Sequence, residues 1–569
     1  MLTIEPEDTL REMLGELRCR VLLVSQEPLI RFTLPNFFEN TDISVTATAE
    51  NEEGLRLLRR EEFDAVILDL CSNAEKSILF RWEIRAIDEK IPVLFMTPLF
   101  YWSDVQILDR IVEEPHSYYI PENADRKFMI AKLRQVIGSC RAESSLNRLK
   151  DKITRNWFLA SLLQQAMLPP WVYFGGRYEF SCLYKPFSRV SGDLFEWLPL
   201  DEDHALFIFG DVSGHGTHSA LALTAVQSFL KQIILLDKGK AARPCQIASE
   251  INKFFCDHLH NIVHMSALIA YIDFAENRIR YQNAGYMDPI CIDSKTGRIE
   301  NVNPEKKGAL PLGILKDTVY TSKDNVEFHF SDTSVFLFCS DGLINLSKDQ
   351  EGLSRMEMKT ALDLASILVS DEQKKDKSIA IPFQICHTLQ QFGYNFPLDD
   401  ISVALIRKTM PSEREYSFSC RVPADQNAVD EICQKASEFV TRHYDDDEIS
   451  VNTDLLLAEY LVNVILHGLN EYEKLNDFIA IKLCASETEL KIIVWDHGKE
   501  WNGFISHEDT ADERLEQLNR DMATSGRGLP IISKIASQIS RQRYCGLNES
   551  VFIIPAPSKA SEAPAQDER

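Results

Sequence analysis

The sequence predicts a multidomain chain of α/β and α+β folds, and three observations carry that reading. The chain has 569 residues, too many for one hydrophobic core and enough for about three or four domains. Its apolar share of 45% and charged share of 26% are those of ordinary globular proteins, so each part can bury a core of its own. The apolar periodicity changes along the chain, from an α/β rhythm through a helical stretch to a β-rich middle and a last α+β segment.

Residues 18–137 alternate strand-like runs, Arg20–Ser25, Phe63–Leu70 and Ile91–Thr97, with amphipathic segments. That is the rhythm of a doubly wound parallel sheet, and the first domain is placed at 1–138. Over 139–168 the pattern turns helical. Leu146, Ile153, Ala160 and Met167 recur every seven residues, with Leu149 and Leu163 between them and Asn156 interrupting. The seam serves either a helix packed within one chain or a coiled coil that makes a homodimer. Pro169–Pro170 ends it.

A β-rich domain is expected at 169–410, with strands Ala205–Gly210, Ser266–Asp273, Val335–Cys339 and Ile401–Ile406 and helices Ser219–Leu236 and Pro244–Leu259. A polar connector, Lys408–Glu415, leads to an α+β domain at 416–554. The composition of 555–569, Pro, Ala, Ser and charge, predicts disorder.

The formal charge of −25 repels phosphate backbones and anionic bilayers, which argues against nucleic acid or membrane partners. Apolar runs such as Pro92–Trp102 are shorter than a membrane span needs, and the acidic start, Met1–Leu10, does not read as a leader. Thirteen cysteines without a Cys-x-x-Cys pair read as reduced thiols of a cytoplasmic protein.

Four aspartates stand where strands meet turns: Asp193 after Ser191-Gly192, Asp211 opening Asp211-Val212-Ser213-Gly214-His215-Gly216, Asp341 in Ser340-Asp341-Gly342, and Asp399 beside Asp400 before the last strand. Converging carboxylates suit Mn²⁺ or Mg²⁺, and two such ions can share a hydroxide and clamp a phosphoryl group. Taken one at a time, each Asp-Gly pair is a turn. The ordered set, with Asn283-Ala284-Gly285, Pro311-Leu312-Gly313 and the lead-in Leu163-Gln164-Gln165-Ala166-Met167-Leu168-Pro169-Pro170, resembles the SpoIIE-type branch of the PP2C phosphatases.

That resemblance implies an αββα sandwich and metal-dependent hydrolysis of phosphoserine or phosphothreonine without a phosphoenzyme. It implies Asp193, Asp211, Asp341 and Asp399 as ligands of two Mn²⁺ or Mg²⁺ ions, with the Val212 carbonyl approaching a metal and Asp400 as the substitute for Asp399. His215 and His218 read as acids or as structural residues. Tyr286 stands where the family often has histidine, and His258, His260 and His264 lack ligand spacing.

In the last domain Asp454–Leu466 reads as a helix with Leu457, Leu461 and Val464 on one side and Glu459, Asn463 and His467 on the other. Val494-Trp495-Asp496-His497-Gly498 is a strand entering a turn, and Gly526-Arg527-Gly528-Leu529 a glycine loop opening a helix, the setting in which backbone N–H groups meet phosphates. Together they resemble the GHKL (Bergerat) ATPases, specifically the anti-sigma serine kinases. The resemblance implies ATP with Mg²⁺ on Asn463, adenine on Asp496, Gly498, Gly526 and Gly528 around the nucleotide, and Glu459 as base for a serine hydroxyl. Glu500 replaces that family's second glycine, which leaves open an ATP-gated module that grips its partner without phosphorylating it.

The first domain resembles response-regulator receivers, with Asp69 as phosphoacceptor candidate and Thr97 as switch hydroxyl. Ser25 and Gln26 replace the acidic pair and Glu122 the lysine, so charge on a phosphoryl group at Asp69 is poorly neutralised. The domain reads as a degenerate receiver serving dimerisation or partner sensing, or Asp69 is only a polar strand end. The three resemblances imply a bacterial partner-switching regulator that dephosphorylates and phosphorylates a STAS-type anti-sigma-factor antagonist, with an anti-sigma or sigma factor as a further partner. A scaffold with decayed sites is the rival reading.

Overall fold

The computed structural model describes residues 19–70, 74–97, 114–214, 216–236, 243–260, 262–469, 477–500 and 528–556. The chain divides into two compact units, residues 1–156 and 157–569. The expectations for His215, Gly526 and the tail beyond Ala556 lie outside the described residues.

In the first unit five parallel strands, β1 (Cys19–Val24), β2 (Ile43–Thr48), β3 (Ala65–Asp69), β4 (Val93–Thr97) and β5 (Ser117–Pro121), lie in the order β2-β1-β3-β4-β5. This is a doubly wound order whose switch point falls between β1 and β3. The central strands β1, β3 and β4 are buried on both faces, so they read as continuous apolar runs. Val21, Leu23, Ile67 and Leu94 pack with Leu34 and Phe38, from α1 (Pro28–Phe37) and the residue that ends it. Leu22, Val66, Leu68 and Phe95 face the other way, toward Leu55 of α2 (Asn51–Arg60) and Ile78 and Phe80 of α3 (Ala74–Arg85).

The helix expected from Ser139 starts earlier: α4 runs Arg126–Met167. Its first turns already have an apolar face, Met129, Leu133, Val136 and Ile137, which packs on the sheet. Seam residues Leu146, Leu149 and Ile153 are exposed.

The second unit begins with a two-sheet sandwich. One sheet has the order β14-β11-β10-β9-β8 and the other β13-β12-β15-β16-β7-β6. The strands are β6 (Val172–Phe174), β7 (Tyr178–Lys185), β8 (Asp193–Pro199), β9 (His204–Val212), β10 (Met265–Asp273), β11 (Arg278–Ala284), β12 (Ile290–Asp293), β13 (Ile299–Glu300), β14 (Asn325–His329), β15 (Ser334–Cys339) and β16 (Ile401–Lys408). Phe180, Phe195, Trp197, Phe207, Phe209, Phe336 and Phe338 fill the space between the sheets. Outside one sheet lie α5 (Thr217–Leu236) and α6 (Pro244–His258), and outside the other α7 (Met358–Ser370) and α8 (Ile381–Gln391). This is the expected αββα layering.

The expected connector contains a short helix, Pro411–Tyr416. Beyond it an antiparallel sheet, β17 (Ser417–Pro423), β18 (Phe478–Ala485), β19 (Glu489–Asp496), β20 (Gln538–Tyr544) and β21 (Leu547–Pro555), has the order β17-β18-β19-β21-β20. Ile481, Leu483, Ile492, Val494 and Phe552 face α9 (Val429–His443), α10 (Asp447–Asn463) and α11 (Gly528–Ile535). Strands alternate, and here the alternate residues Ala480, Ile493, Trp495, Leu547 and Val551 join the core formed by α7 and α8 of the sandwich. The last sheet is therefore buried on both faces, one by its own helices and one by the preceding domain.

Two helical stretches, Thr217–Leu236 and Asp447–Gly468, are long and apolar enough to cross a membrane, which corrects the expectation drawn from uninterrupted apolar runs. Their apolar faces are used inside the fold: Leu223, Val226 and Leu230 of the first, and Leu456, Leu457 and Leu461 of the second, are fully buried.

Charges also cross the domain boundary. Glu179 on β7 is buried with Arg407 on β16, and Lys482 of β18 stands 4.0 Å away. Lys491 reaches Asp376 at 3.1 Å, and the Trp171 indole N–H donates to the Phe478 carbonyl at 2.8 Å. Burial alone would raise the Glu179 carboxyl, but Arg407 and then Lys482 outweigh it and hold it at about 2, below the usual 4.5. A depressed carboxyl stabilises the fold above its unfolded value and loses that contribution as pH falls toward its folded one. Denaturant melts are expected to lose stability between about pH 4.5 and pH 2, and Glu179→Gln to flatten that window while costing less at neutral pH than the about 3–5 kcal/mol of a fully stranded partner, because Arg407 keeps Glu413 at 3.0 Å. A pH profile unchanged by Glu179→Gln would refute this.

Candidate active sites

Asp193 and Asp211 are direct cross-strand partners on β8 and β9, an arrangement in which like charges destabilise a sheet. Asp341 opens a one-turn helix immediately after β15, and Asp399 and Asp400 precede β16, the strand paired with β15. The sandwich topology thus brings all four expected aspartates to one end of the two sheets. Burial, and then the charges of Asp341, Asp399 and Asp400, push the Asp211 carboxyl up to about 7. Burial also raises Asp193 well above the usual range, with Asp211 and Asp400 adding to the shift and Ser402 opposing it.

Asp400, next to Asp399 in the chain, holds the backbone of a neighbouring loop. The Asp400 carboxylate accepts the backbone N–H of Phe187 at 2.6 Å and of Gly192 at 2.8 Å, which ties β16 to the loop before Asp193. Ser402 donates to Asp193 Oδ2 at 2.6 Å, and Ser340 donates to the Asp400 carbonyl while accepting the Ser402 N–H, both at 2.9 Å. Gln164, near the end of α4, accepts the Ser191 N–H at 2.9 Å and donates to the Ser191 carbonyl at 2.8 Å. Sequence reading did not single out the roles of Ser402, Ser340 and Gln164. Only the placement of Gln164 in the lead-in motif pointed toward it.

Glycines are required by close approach at two positions. A Cβ on Gly342 would run into the Asp400 carbonyl, with the Asp400 carbonyl carbon at 2.7 Å. A Cβ on Gly192 would meet the Val212 carbonyl at 3.1 Å, with Asp211 Oδ1 and the Gly214 carbonyl at 3.4 Å. That cradle of three oxygens beside mutually repelling carboxylates fits a hard divalent cation. Among the described residues no three His, Cys, Asp or Glu side chains form a complete cage. A donor set of this kind matches Mg²⁺, which keeps several waters and takes only one or two carboxylates directly.

The Tyr286 hydroxyl is buried without a protein hydrogen-bond partner, and burial first, then Asp193, Asp211 and Asp341, raises its pKa. It belongs to the surroundings of this site. The His218 ring lies over Gly214. His258 ends α6, His260 has φ 49°, and the backbone of His264 pairs with Ser213.

In the last domain the expected helix starts earlier, at Asp447, and ends at Asn463 with a π-helical turn over Val464–Gly468. Leu457, Leu461 and Val464 are buried as expected. Gly528 lies against the opposite face: a Cβ there would meet Glu459 Oε2 at 2.5 Å and Asn463 Nδ2 at 3.0 Å. Asp496 is buried, and its Oδ1 accepts from Asn548 at 2.7 Å and from the Gly498 N–H at 2.8 Å. A Cβ on Gly498 would crowd Asp496 Oδ1 at 2.8 Å and Gly468 Cα at 3.2 Å. The structure therefore groups Glu459, Asn463 and Gly528, and separately Asp496 and Gly498. Glu500 is exposed. Asn548, on β21, carried no sequence signal.

In the first domain Asp69 ends β3 at the switch point, and Ser25 donates to its Oδ2 at 2.7 Å. Both are buried, as is Thr97 at the end of β4. Gln26 and Glu122 are exposed.

Residues 201–409 match the family described as Stage II sporulation protein E (SpoIIE), and residues 422–550 the histidine kinase-like ATPase domain. The chain therefore carries a SpoIIE-type PP2C phosphatase domain followed by a histidine kinase-like ATPase domain. Phosphoserine phosphatase RsbP of Bacillus subtilis (strain 168) is 24% identical over 176 residues, 29% of this chain, and the match spans 40% of that relative's length. Among solved structures, the RsbU and RsbW domains of Rv1364c from Mycobacterium tuberculosis align at 17% identity over 68% of this chain and 98% of that one, with a TM-score of 0.36. The SiaA-PP2C domain of Pseudomonas aeruginosa aligns at 20% identity over 46% and 98%, with a TM-score of 0.37.

Gln164→Ala should leave the fold intact and lower metal affinity or phosphatase activity by about 10–100-fold, the effect of losing a group that orients a ligand. Gly342→Ala should displace Asp399 and Asp400 and abolish activity with little change in circular dichroism. Manganese titration by calorimetry, with hydrolysis of a phosphoserine peptide, checks both.

Proposed function

We propose that this chain is a cytoplasmic, bacterial-type partner-switching regulator. Its phosphatase domain removes phosphate from a serine of a STAS-type anti-sigma-factor antagonist, and its ATPase domain returns phosphate from ATP. The observation that carries this reading is the convergence of Asp193, Asp211, Asp341 and Asp399 at one end of the sandwich, in the same compact unit as the Glu459, Asn463 and Gly528 group.

In the phosphatase, Asp193, Asp211, Asp341 and Asp399 would hold two Mn²⁺ or Mg²⁺ ions, with the Val212 carbonyl beside them. Such ions supply a hydroxide at neutral pH and neutralise charge on the phosphoryl oxygens. The protein's own part is placement. Asp400, Ser340, Ser402 and Gln164 fix the acids before substrate arrives, so little reorganisation is needed during reaction. In the ATPase domain Asn463 would hold Mg²⁺ on ATP, Asp496 would receive the adenine amine, and Gly498, Gly526 and Gly528 would border the nucleotide. Glu459 is positioned on the same face as Asn463 to take the proton of a serine hydroxyl.

A seryl phosphate adds about −1.5 to −2 charge, enough to decide which protein the antagonist binds. The first domain serves as a degenerate receiver that senses a partner. Ser25 already holds Asp69 where a metal would otherwise assist phosphorylation, and the exposed α4 seam favours a homodimer.

A second reading rests on Glu500: the ATPase domain grips an anti-sigma or sigma factor, or the antagonist itself, without transferring phosphate. Purified protein, phosphorylated STAS antagonist and Mn²⁺ form the test. Asp211→Asn is expected to slow phosphate release by about 100-fold or more, and failure of the wild type to release phosphate would end the phosphatase proposal. With ATP and unphosphorylated antagonist, Glu459→Gln should slow transfer by about 10²–10⁴-fold while ATP binding persists. Partner capture without transfer by the wild type would establish the binding-only reading instead.

A further inference from the structure

Asp496 ends β19 directly opposite Asn548 of β21, and Asn548 in turn stands opposite Arg543 of β20. Three strands thus bring three polar side chains into one row. Asn548 uses its whole amide there: Nδ2 donates to Asp496 Oδ1 at 2.7 Å and to the Gly498 carbonyl at 2.9 Å, while its Oδ1 accepts from Arg543 at 2.6 Å. Arg543 also donates to the Gly498 carbonyl, at 2.6 Å. A guanidinium has only donors, so its contact with Asn548 Oδ1 fixes which end of the amide faces Asp496.

The two oxygens of Asp496 have different surroundings. Oδ1 accepts two N–H groups, from Asn548 and, at 2.8 Å, from Gly498. Among the described residues Oδ2 has the Tyr460 hydroxyl at 3.4 Å, and that hydroxyl shares a shorter hydrogen bond, 2.7 Å, with Ser550. Asp496 and Asn548 are both buried. With Oδ1 engaged by two donors, a proton taken up by this carboxyl goes to Oδ2. Burial raises the Asp496 carboxyl, and the Asn548 hydrogen bond is the largest of the influences that oppose it, ahead of Arg541 on β20, the Gly498 N–H and His497. Tyr460, facing Asp496 from α10, is kept neutral by its own burial.

We propose that Asn548 and Arg543 are positioning residues of the nucleotide site, which hold Asp496 with Oδ2 as an unprotonated acceptor for the amino group of the base. The inference rests on the reading of Asp496 as the contact to the base. An ionised Oδ2 can only accept, so it pairs with an amino group at C6 of a purine and repels a carbonyl there. A protonated Oδ2 would donate instead, and the discrimination would be lost. Asn548 supplies the donor that keeps the charge on Asp496, and Arg543 keeps the amide turned the right way. The choice of base is therefore fixed by two residues that the base itself does not touch, in the way that partners of a ligand set its orientation and protonation.

The test measures binding of ATP and of inosine triphosphate to the full-length protein with Mg²⁺, from about pH 5.5 to 8.5. The two nucleotides carry an amino group and a carbonyl at C6 on the same triphosphate, so titration of the phosphates cancels from the ratio of their affinities. Wild type is expected to favour ATP by about 100-fold or more. Asn548→Leu, of similar size, should weaken ATP by about 10–100-fold, bring the two nucleotides within about tenfold of each other, and move the loss of ATP preference on acidification upward by about 1–2 pH units. Arg543→Met should act in the same direction but less, and carries the test alone if Asn548→Leu does not fold. Asn548→Thr, which keeps a donor on that strand, should restore part of the preference. A purely structural role would lower the melting temperature without moving the ratio or its pH profile. Wild-type ratio and pH profile in both Asn548→Leu and Arg543→Met overturn the inference and leave the nucleotide site standing, whereas a wild type that binds neither nucleotide removes the nucleotide reading and the inference with it.

Discussion

Asp193 and Asp211 face each other across a β-hairpin, and Asp341, Asp399 and Asp400 add their charge to the same end of the sandwich. Carboxylates so placed repel, and nothing in their own chemistry would gather them. What gathers them is backbone hydrogen bonding on both sheets. The β8–β9 ladder fixes one pair, the β15–β16 ladder fixes the other, and Asp400 joins the sheets by accepting two N–H groups from the loop before Asp193. The strain of the acidic cluster is therefore carried by the aromatic core between the sheets, where Phe180, Phe195, Phe207 and Phe338 are all buried. A divalent cation bound there would relieve the repulsion that the fold enforces, so metal would raise the stability of this half.

This explains which parts of the site were legible in the sequence. A strand that ends in Asp beside a glycine is a local pattern, and Asp193, Asp211, Asp341 and the Asp399-Asp400 pair could each be found from neighbours in the chain. The structural part of Asp400 could not, because it depends on N–H groups more than two hundred residues away. Ser402 was hidden for the same reason, since a serine in a strand has no distinguishing local context, and Gln164 was visible only as a member of the lead-in motif, not by its bonds to Ser191. The early start of α4 at Arg126 was readable in principle from Met129, Leu133 and Val136, but the heptad seam downstream drew the boundary to Ser139. In the last domain the helix face carrying Glu459 and Asn463 was visible as periodicity, whereas Asn548 reaches Asp496 from a strand on the far side of the glycine loop.

The continuous apolar run Ile492-Ile493-Val494-Trp495 carried a clue of a different kind. A sheet covered by helices on one face and water on the other alternates apolar with polar residues, whereas this one is apolar on both. The missing polar face belongs to the phosphatase domain, which packs α8 against it. The two domains share one core, unlike domains joined by a connector alone.

Buried charges at that boundary contribute orientation more than adhesion. Glu179, Arg407 and Lys482, and likewise Lys377 with Glu549, each give up solvation to meet, and the attraction gained roughly offsets that loss. Apolar contact between the sheet and the helices would tolerate sliding, since one aliphatic surface fits another in many registers. Ion pairs are less tolerant, because a shifted sheet would part the buried Glu549 from Lys377 and take Lys482 away from Glu179. The boundary thereby favours one arrangement, and His497, next to Asp496 in the chain, is held in it between Trp171 and Phe383, with ring centroids 4.9 and 5.7 Å away. His497 thus ties the end of β19, where Asp496 stands, directly to the phosphatase domain.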